Sequence, residues 1–298
     1  MRVFEKIDGV VDSMASIVAG PLRHAPAKVA IYILLAFIVI GIPYSLVRHV
    51  QTSGFYVVSV ERERKVGEKV AKEMEKRMEL LPKNDPKGLY VAEVGRRVAE
   101  QNNPWSADFS FRIIRDPRMI NAFALPGGKI YVTTGMLNKL DNEAELAAVL
   151  AHEVAHVSQR HYARNMGRQM LMSWVKKFLG GTDRAILDAG SFLTTNVAFL
   201  RMRQEDEFEA DYYGTLYIYE LGYDPAAAVT LSEKLLKLER EMPDYVKVLA
   251  MTHPPSRERV EALRKLKESL VEKEGLTLGE KRYRKKIGKA APIVFLRR

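Results

Sequence analysis

Apolar residues recur along this chain with different periods, and each period predicts a different element. In residues 3–18, Val3, Phe4, Ile7, Val10, Val11, Met14, Ile17 and Val18 follow helical spacing with Glu5, Lys6, Asp8 and Asp12 between them. The pattern predicts an amphipathic N-terminal segment within residues 1–28, suited to a membrane surface or to packing on a folded domain. Gly20-Pro21 ends the helix. Residues 29–47 then run for 19 positions without a charge. A helix of that length nearly matches a hydrocarbon core of about 30 Å, so the run predicts one transmembrane helix. A cleaved signal peptide fits less well, because the run exceeds an ordinary h-region and no A-x-A site follows. Arg23, His24 and Lys28 before the run, against Arg48 and His49 after it, favour an inside N-terminus. That orientation puts the rest of the chain on the non-cytoplasmic side.

Beyond the apolar run the helical period returns. Val66, Val70, Met74, Met78 and Leu81 share one face of a charged helix over 59–81. Leu89, Val91, Val94, Val98 and Ala99 mark a second, ended by Asn102-Asn103-Pro104. The period then drops to two: Phe109, Phe111 and Ile113 alternate with Ser110 and Arg112, which predicts a strand. Two more short strands, 121–125 and 129–133, flank Pro126-Gly127-Gly128, a hairpin signal. The expected sheet is small and antiparallel. Its uncharged strand, with Asn121, Ala122, Phe123 and Ala124, suits edge pairing with an extended peptide, and suits equally an ordinary hairpin packed on helices. Asp141-Asn142 caps a helix with Glu143 and Glu145 in its first turn, expected to continue to Arg164. Residues 166–200 are Met-rich and turn at Gly180-Gly181, which predicts two helices serving as a lid over a cleft or as plain packing. Helices over 201–221, from Asp224-Pro225 to Glu241, and ending near Glu274 complete the reading. The fold expected is mainly α with a small antiparallel sheet: a catalytic domain at 59–275 behind the transmembrane helix, followed by a basic tail at 276–298.

Charge sharpens this division. Residues 1–58 carry 5 Lys/Arg against 3 Asp/Glu, residues 264–298 carry 12 against 4, and the middle carries 30 of each. The net charge of +10 therefore sits mostly at the C-terminal end. A neutral central domain does not support a nucleic-acid groove. The basic end suits anionic lipid or a polyanion, or is simply a solvated terminus. With no cysteine in the chain, any metal must be held by His, Asp or Glu.

The candidate chemistry lies in the Ala/Val-rich helix after Asn142, which carries His152-Glu153-x-x-His156. Positions i and i+4 share one helical face, so both imidazoles reach one ion while Glu153 stands beside a bound water. A catalytic zinc takes a third protein ligand. Metzincin spacing requires Gly at 159 and His at 162, where this chain has Gln159 and Tyr162, so that class fails. His161 lies five positions past His156 and is expected off the metal-facing side. Glu207, with Asp211 one turn further on, offers a ligand and an acceptor for a ligand imidazole. Glu205 and Glu209 fall on the other face of that helix.

Taken together, His152-Glu153-x-x-His156, the Glu207-Phe-Glu-Ala-Asp211 segment, Asn121-Ala122-Phe123-Ala124-x-Pro126-Gly127-Gly128, and His253-Pro254 with Arg259 resemble the HtpX/BepA-like zinc metallopeptidases. These belong to peptidase family M48, relatives of the CAAX prenyl protease type I proteins within the gluzincins. The resemblance covers residues 60–265. It implies one zinc per chain, held by His152, His156 and Glu207, with Glu153 as general base. Asp211 would support a ligand imidazole, and His253 would stabilise the transition state. It further implies a gluzincin-like catalytic domain, endopeptidase activity on unfolded or misfolded proteins, and a role in membrane or envelope protein quality control. Two features depart from the family pattern. The chain has one apolar span, where several members carry more. Gln204 stands where an arginine often precedes the third ligand, so no arginine receives a role. A second reading is a latent, chaperone-like assembly factor of the same fold, with His253 able to take the fourth metal position.

Overall fold

A computed structural model describes residues 58–178, 202–241 and 253–288. The amphipathic helix expected at 3–18, the membrane span expected at 29–47 and residues 179–200 of the lid-like stretch lie outside the described residues. Among the described residues no helix is long and apolar enough to cross a membrane.

Helix α1 (Val60–Glu75) starts at Ser59, whose hydroxyl accepts from the Arg62 N–H at 3.2 Å. Helix α2 (Pro86–Glu100) starts with Pro86, whose missing N–H would have no partner in a first turn. Helix α1 stops short of the expected 81, and Leu80 instead bridges Ile114. The strands are β1 (Ser110–Ile114), β2 (Ala122–Leu125) and β3 (Lys129–Thr133). Their order is β1-β3-β2, with β2 antiparallel and β1 parallel to β3. The sheet is thus mixed, not antiparallel as expected. The β2–β3 hairpin sends the chain back on itself, so β3 runs in the direction of β1 and adds beside it. Gly127, at φ 85, makes that turn, and a Cβ there would stand 2.8 Å from the Arg64 Cα.

After the single turn α3 (Thr134–Leu137) comes α4 (Glu143–Ser158), the centre of the molecule. It is rich in Ala, Val and Leu and is buried almost throughout, its Glu and His side chains included. Helix α2, the sheet, α6 (Gln204–Glu220) and α7 (Ala226–Glu241) all pack on it. Its N-terminus is tied down by side chains. Asn142 accepts from the Glu145 N–H at 2.8 Å. The buried carboxylate of Glu143 accepts from the Tyr90 and Tyr223 hydroxyls at 2.7 and 2.6 Å.

The helix expected to run on to Arg164 is two helices. It breaks at Gln159 and Arg160, and α5 (His161–Phe178) starts in a new direction. Arg160 has a left-handed φ of 54. Its guanidinium donates to the Val58 carbonyl at 2.7 Å and to the buried Glu63 at 3.1 Å, so contacts with the start of α1 hold the break.

The C-terminal part also differs from expectation. Beyond α8 (Arg257–Ser269), the chain does not become a free tail at 276. Helix α9 (Glu280–Ile287) buries Tyr283 and Ile287 in the core, and Arg282 donates to Glu143 at 2.9 Å. The spacing of Tyr283 and Ile287, one helical turn apart, is masked in the sequence by five surrounding basic residues.

Candidate metal centre

Helix α6 comes unusually close to α4 because it presents Gly214 at the crossing. A Cβ at Gly214 would lie only 3.0 Å from the His152 backbone nitrogen. This approach sets Glu207 and Asp211 of α6 against the His pair of α4. His152 Nε2 and His156 Nε2 stand 3.0 Å apart. Glu207 Oε2 is 3.4 Å from the first and Glu207 Oε1 is 3.5 Å from the second. A tetrahedral ion with bonds near 2.05 Å has ligand–ligand edges of about 3.3 Å, so the three donors fit one zinc-sized ion. Glu207 Oε2 is fully buried, with Arg259 Nη1 at 2.7 Å on one side and His152 Nε2 at 3.4 Å on the other. His253 joins the group, and all four residues offer donor atoms within 4.8 Å of one another. The donor set of imidazoles and a carboxylate suits zinc.

The electrostatics favour a cation here. Burial opposes charge on His152, yet hydrogen bonds to Asp211 and Glu207 push its pKa up to about 10. A site that gathers a proton so firmly offers the same place to a metal ion. Burial and the neighbouring His152 hold His156 well below the ordinary imidazole range, so its ring is neutral as ligation requires. Glu207 stays ionised in spite of burial, held well below the usual carboxylate range chiefly by His253 and Arg259.

Around these donors lies a tight frame. His152 Nδ1 donates to Asp211 Oδ1 at 3.0 Å. Arg259 of α8 donates to both Asp211 oxygens at 2.7 Å. Its Nη1 lies 2.7 Å from Glu207 Oε2 and donates to the Pro254 carbonyl at 3.1 Å. Arg259 thus fixes α6 and the His253-Pro254 turn together, a role with no local signature, since its partner Asp211 lies 48 positions away. His253 Nδ1 donates to Glu207 Oε1 at 2.8 Å, and its Nε2 is 3.6 Å from Glu153 Oε1.

Strand β2 lies at the sheet edge beside the centre. Asn121, Ala122, Phe123 and Ala124 are all buried. The Ala124 N–H donates to Glu153 Oε2 at 2.7 Å, and the Ala124 carbonyl accepts from the Tyr162 hydroxyl at 2.6 Å. Ala122 lines the pocket that opens beside His152 and Glu153, floored by Met136, Val149, Leu231 and Leu263. Of the site residues expected from the sequence, His152, Glu153, His156, Glu207, Asp211 and His253 converge on one place, with Ala122 and Ala124 beside it, whereas Phe123 packs against Val70 and Tyr131 in a separate cluster and Asn121 bonds to Thr133.

As the spacing predicts, neither His161 nor Glu209 joins the four-residue centre, but the two meet on the Nδ1 side of His156. Because the chain breaks at Arg160, His161 packs behind His156, with its Nδ1 2.6 Å from His156 Nδ1. On one continuous helix, five positions would have turned it well away. Glu209, expected to face elsewhere, accepts from His161 Nε2 at 3.3 Å and from Arg164 at 2.6 Å. No sequence signal announces a break at an arginine.

Comparison with known proteins places this arrangement in a lineage. The mitochondrial metalloendopeptidase OMA1 of Schizosaccharomyces pombe is 34% identical over 220 residues, covering 73% of this chain and 64% of that protein. The beta-barrel assembly-enhancing protease of Escherichia coli is 32% identical over 215 residues, covering 68% of this chain and 43% of that protein. The chain thus spans less than two thirds of the length of either relative. The model of the family described as Peptidase family M48 matches residues 87–267, from the second residue of α2 into α8, and includes His152, His156, Glu207, Asp211, His253 and Arg259. A match over more than half of the sequence, centred on this cluster, establishes that the chain belongs to peptidase family M48.

Proposed function

We propose that this protein is a zinc-dependent endopeptidase acting on unfolded or misfolded proteins. The observation that carries the reading is the convergence of His152, His156, Glu207 and His253 from separate segments onto one centre. His152, His156 and Glu207 would hold the ion. Zinc bound there supplies a Lewis acid that acidifies water and polarises a carbonyl. Glu153 Oε1 takes the proton of the attacking water and then delivers it to the leaving amine. Glu153 Oε2 is anchored on the Ala124 N–H, so the carboxylate presents one oxygen to the reaction. Arg259 and Asp211 hold the frame, and the Asp211 bond places the proton of neutral His152 on Nδ1, so that Nε2 is the nitrogen offered to the metal. His253 donates to Glu207 through Nδ1, so its Nε2 can hydrogen-bond a developing oxyanion only when the ring is the imidazolium. An extended substrate would add to the edge at Asn121, Ala122, Phe123 and Ala124.

The latent-factor reading has its own support. The Ala124 edge groups are occupied by Glu153 and Tyr162, and a neutral His253 Nε2 carries a lone pair able to fill a fourth metal position. Substrate entry then requires release of those contacts. Purified full chain is assayed on casein beside Glu153→Gln. The endopeptidase reading expects cleavage by the wild type and none by the variant; equal cleavage by both overturns it, and no cleavage by either favours the latent factor.

Anchoring by residues 29–47, with the catalytic domain outside the cytoplasm, belongs to the same proposal, as do membrane lipid as a partner and a role in membrane or envelope protein quality control. The names of the two relatives, one mitochondrial and one enhancing β-barrel assembly, support that setting. A protease-protection assay with a C-terminal tag checks it. Degradation of the tag only after the cytoplasm is opened would overturn the orientation.

A further inference from the structure

We infer that His161 and Glu209 form a carboxylate–imidazole relay that positions His156 for metal binding. The inference rests on the reading of His156 as a ligand and adds residues that the sequence pattern set aside.

The two histidines of α4 are supported in different ways. His152 Nδ1 reaches a carboxylate directly, Asp211 at 3.0 Å. His156 Nδ1 meets another imidazole, His161 Nδ1, at 2.6 Å. His161 Nε2 in turn meets Glu209 Oε2 at 3.3 Å. One proton arrangement satisfies the chain when Nε2 of His156 faces the ion. His156 carries its proton on Nδ1 and donates it to His161 Nδ1, and His161 carries its proton on Nε2 and donates it to Glu209. Glu209 thereby selects the tautomer of His156 through an intervening ring. The geometry needs the break at Arg160, which turns His161 onto His156 with the ring planes at 78°. His161 is wholly buried, so water does not substitute for it.

The same side chains invite a competing assignment, since His161, Asp206 and Glu209 are close enough to hold a second cation. The neighbours argue against it. Arg164 Nη2 stands 3.0 Å from Asp206 Oδ1 and 2.6 Å from Glu209 Oε2. Arg168 reaches Asp206 Oδ2 at 3.3 Å. Two guanidiniums already supply the positive charge, and His161 Nδ1 is engaged by His156.

Zinc affinity of the full chain, measured by chelator competition, tests the relay. His161→Leu keeps the volume and should weaken zinc about 10- to 100-fold, the usual effect of losing a ligand's hydrogen-bond partner. His161→Asn retains an acceptor near the Nδ1 position and should recover most of that loss. Glu209→Leu should weaken zinc in the wild-type background and add nothing in His161→Leu, because it acts through His161. A general packing defect would give neither the rescue nor the non-additivity. Wild-type affinity in His161→Leu, while His156→Ala loses zinc, overturns the relay alone. Unchanged affinity in His156→Ala overturns the ligand reading beneath it. A second zinc equivalent that disappears in His161→Leu overturns the relay in favour of a second metal site.

Discussion

Two ion-pair networks in this molecule use the same side chains to different ends. On α1, Arg64 pairs with Glu61 and Glu68 at 2.9 Å, all with side chains about half exposed. At the metal centre, Arg259 pairs with Asp211 and Glu207 at 2.7 Å, and its side chain is 10% exposed. The distances barely differ; the solvent does. Exposed pairs are screened by water and lose side-chain entropy when formed, so they contribute little. Buried charges are costly to desolvate, so each must be held by several partners. What the buried network gains for that cost is geometry: Glu207 and His152 held with their donor atoms 3.4 Å apart.

Substitutions should separate the networks by size of effect. The largest is expected at Glu153, whose replacement by Gln should abolish peptide hydrolysis while zinc remains bound; turnover at the wild-type rate would reject it as the base. Next comes Arg259→Leu, which strands two buried carboxylates and should weaken zinc by about 10- to 100-fold, read by chelator competition. A smaller effect on the site but a clear one on stability is expected for Glu63→Leu. It leaves Arg160 buried without its carboxylate and should destabilise by about 3–5 kcal/mol in denaturant melts. Because Arg160 sets the break that aims His161, the same variant should also weaken zinc. Unchanged stability would mean that the remaining contacts of Arg160, the Val58 carbonyl and the Trp105 ring among them, suffice. At the bottom of the scale, Arg64→Ala should change stability by less than about 0.5 kcal/mol despite losing two ion pairs.

The legibility of the molecule follows the same division between local and long-range causes. The His pair and Glu153 were legible because one helical turn determines their relation. Helices α1, α2 and α4 were legible from caps and spacing. Glu207 and Asp211 could be found because they repeat the helical interval and metal chemistry demands a third ligand. The parallel pairing of β1 with β3 was not legible, because alternation is the same in either direction. The break at Arg160 depends on Glu63, 97 positions away, so the contact of His161 with His156 is not legible from spacing. The role of Arg259 has no local signature because its partners Asp211 and Glu207 are tertiary. Helix α9 resembles a basic tail in sequence because its apolar face is two residues wide and its basic residues dominate composition.

The central claim is that α4 and α6 together hold one ion. Zinc content per purified chain, by elemental analysis of the wild type and Glu207→Ala, tests it directly. One zinc per chain in the wild type and a small fraction of that in the variant is the expected result. Full occupancy in Glu207→Ala contradicts a site built across the two helices.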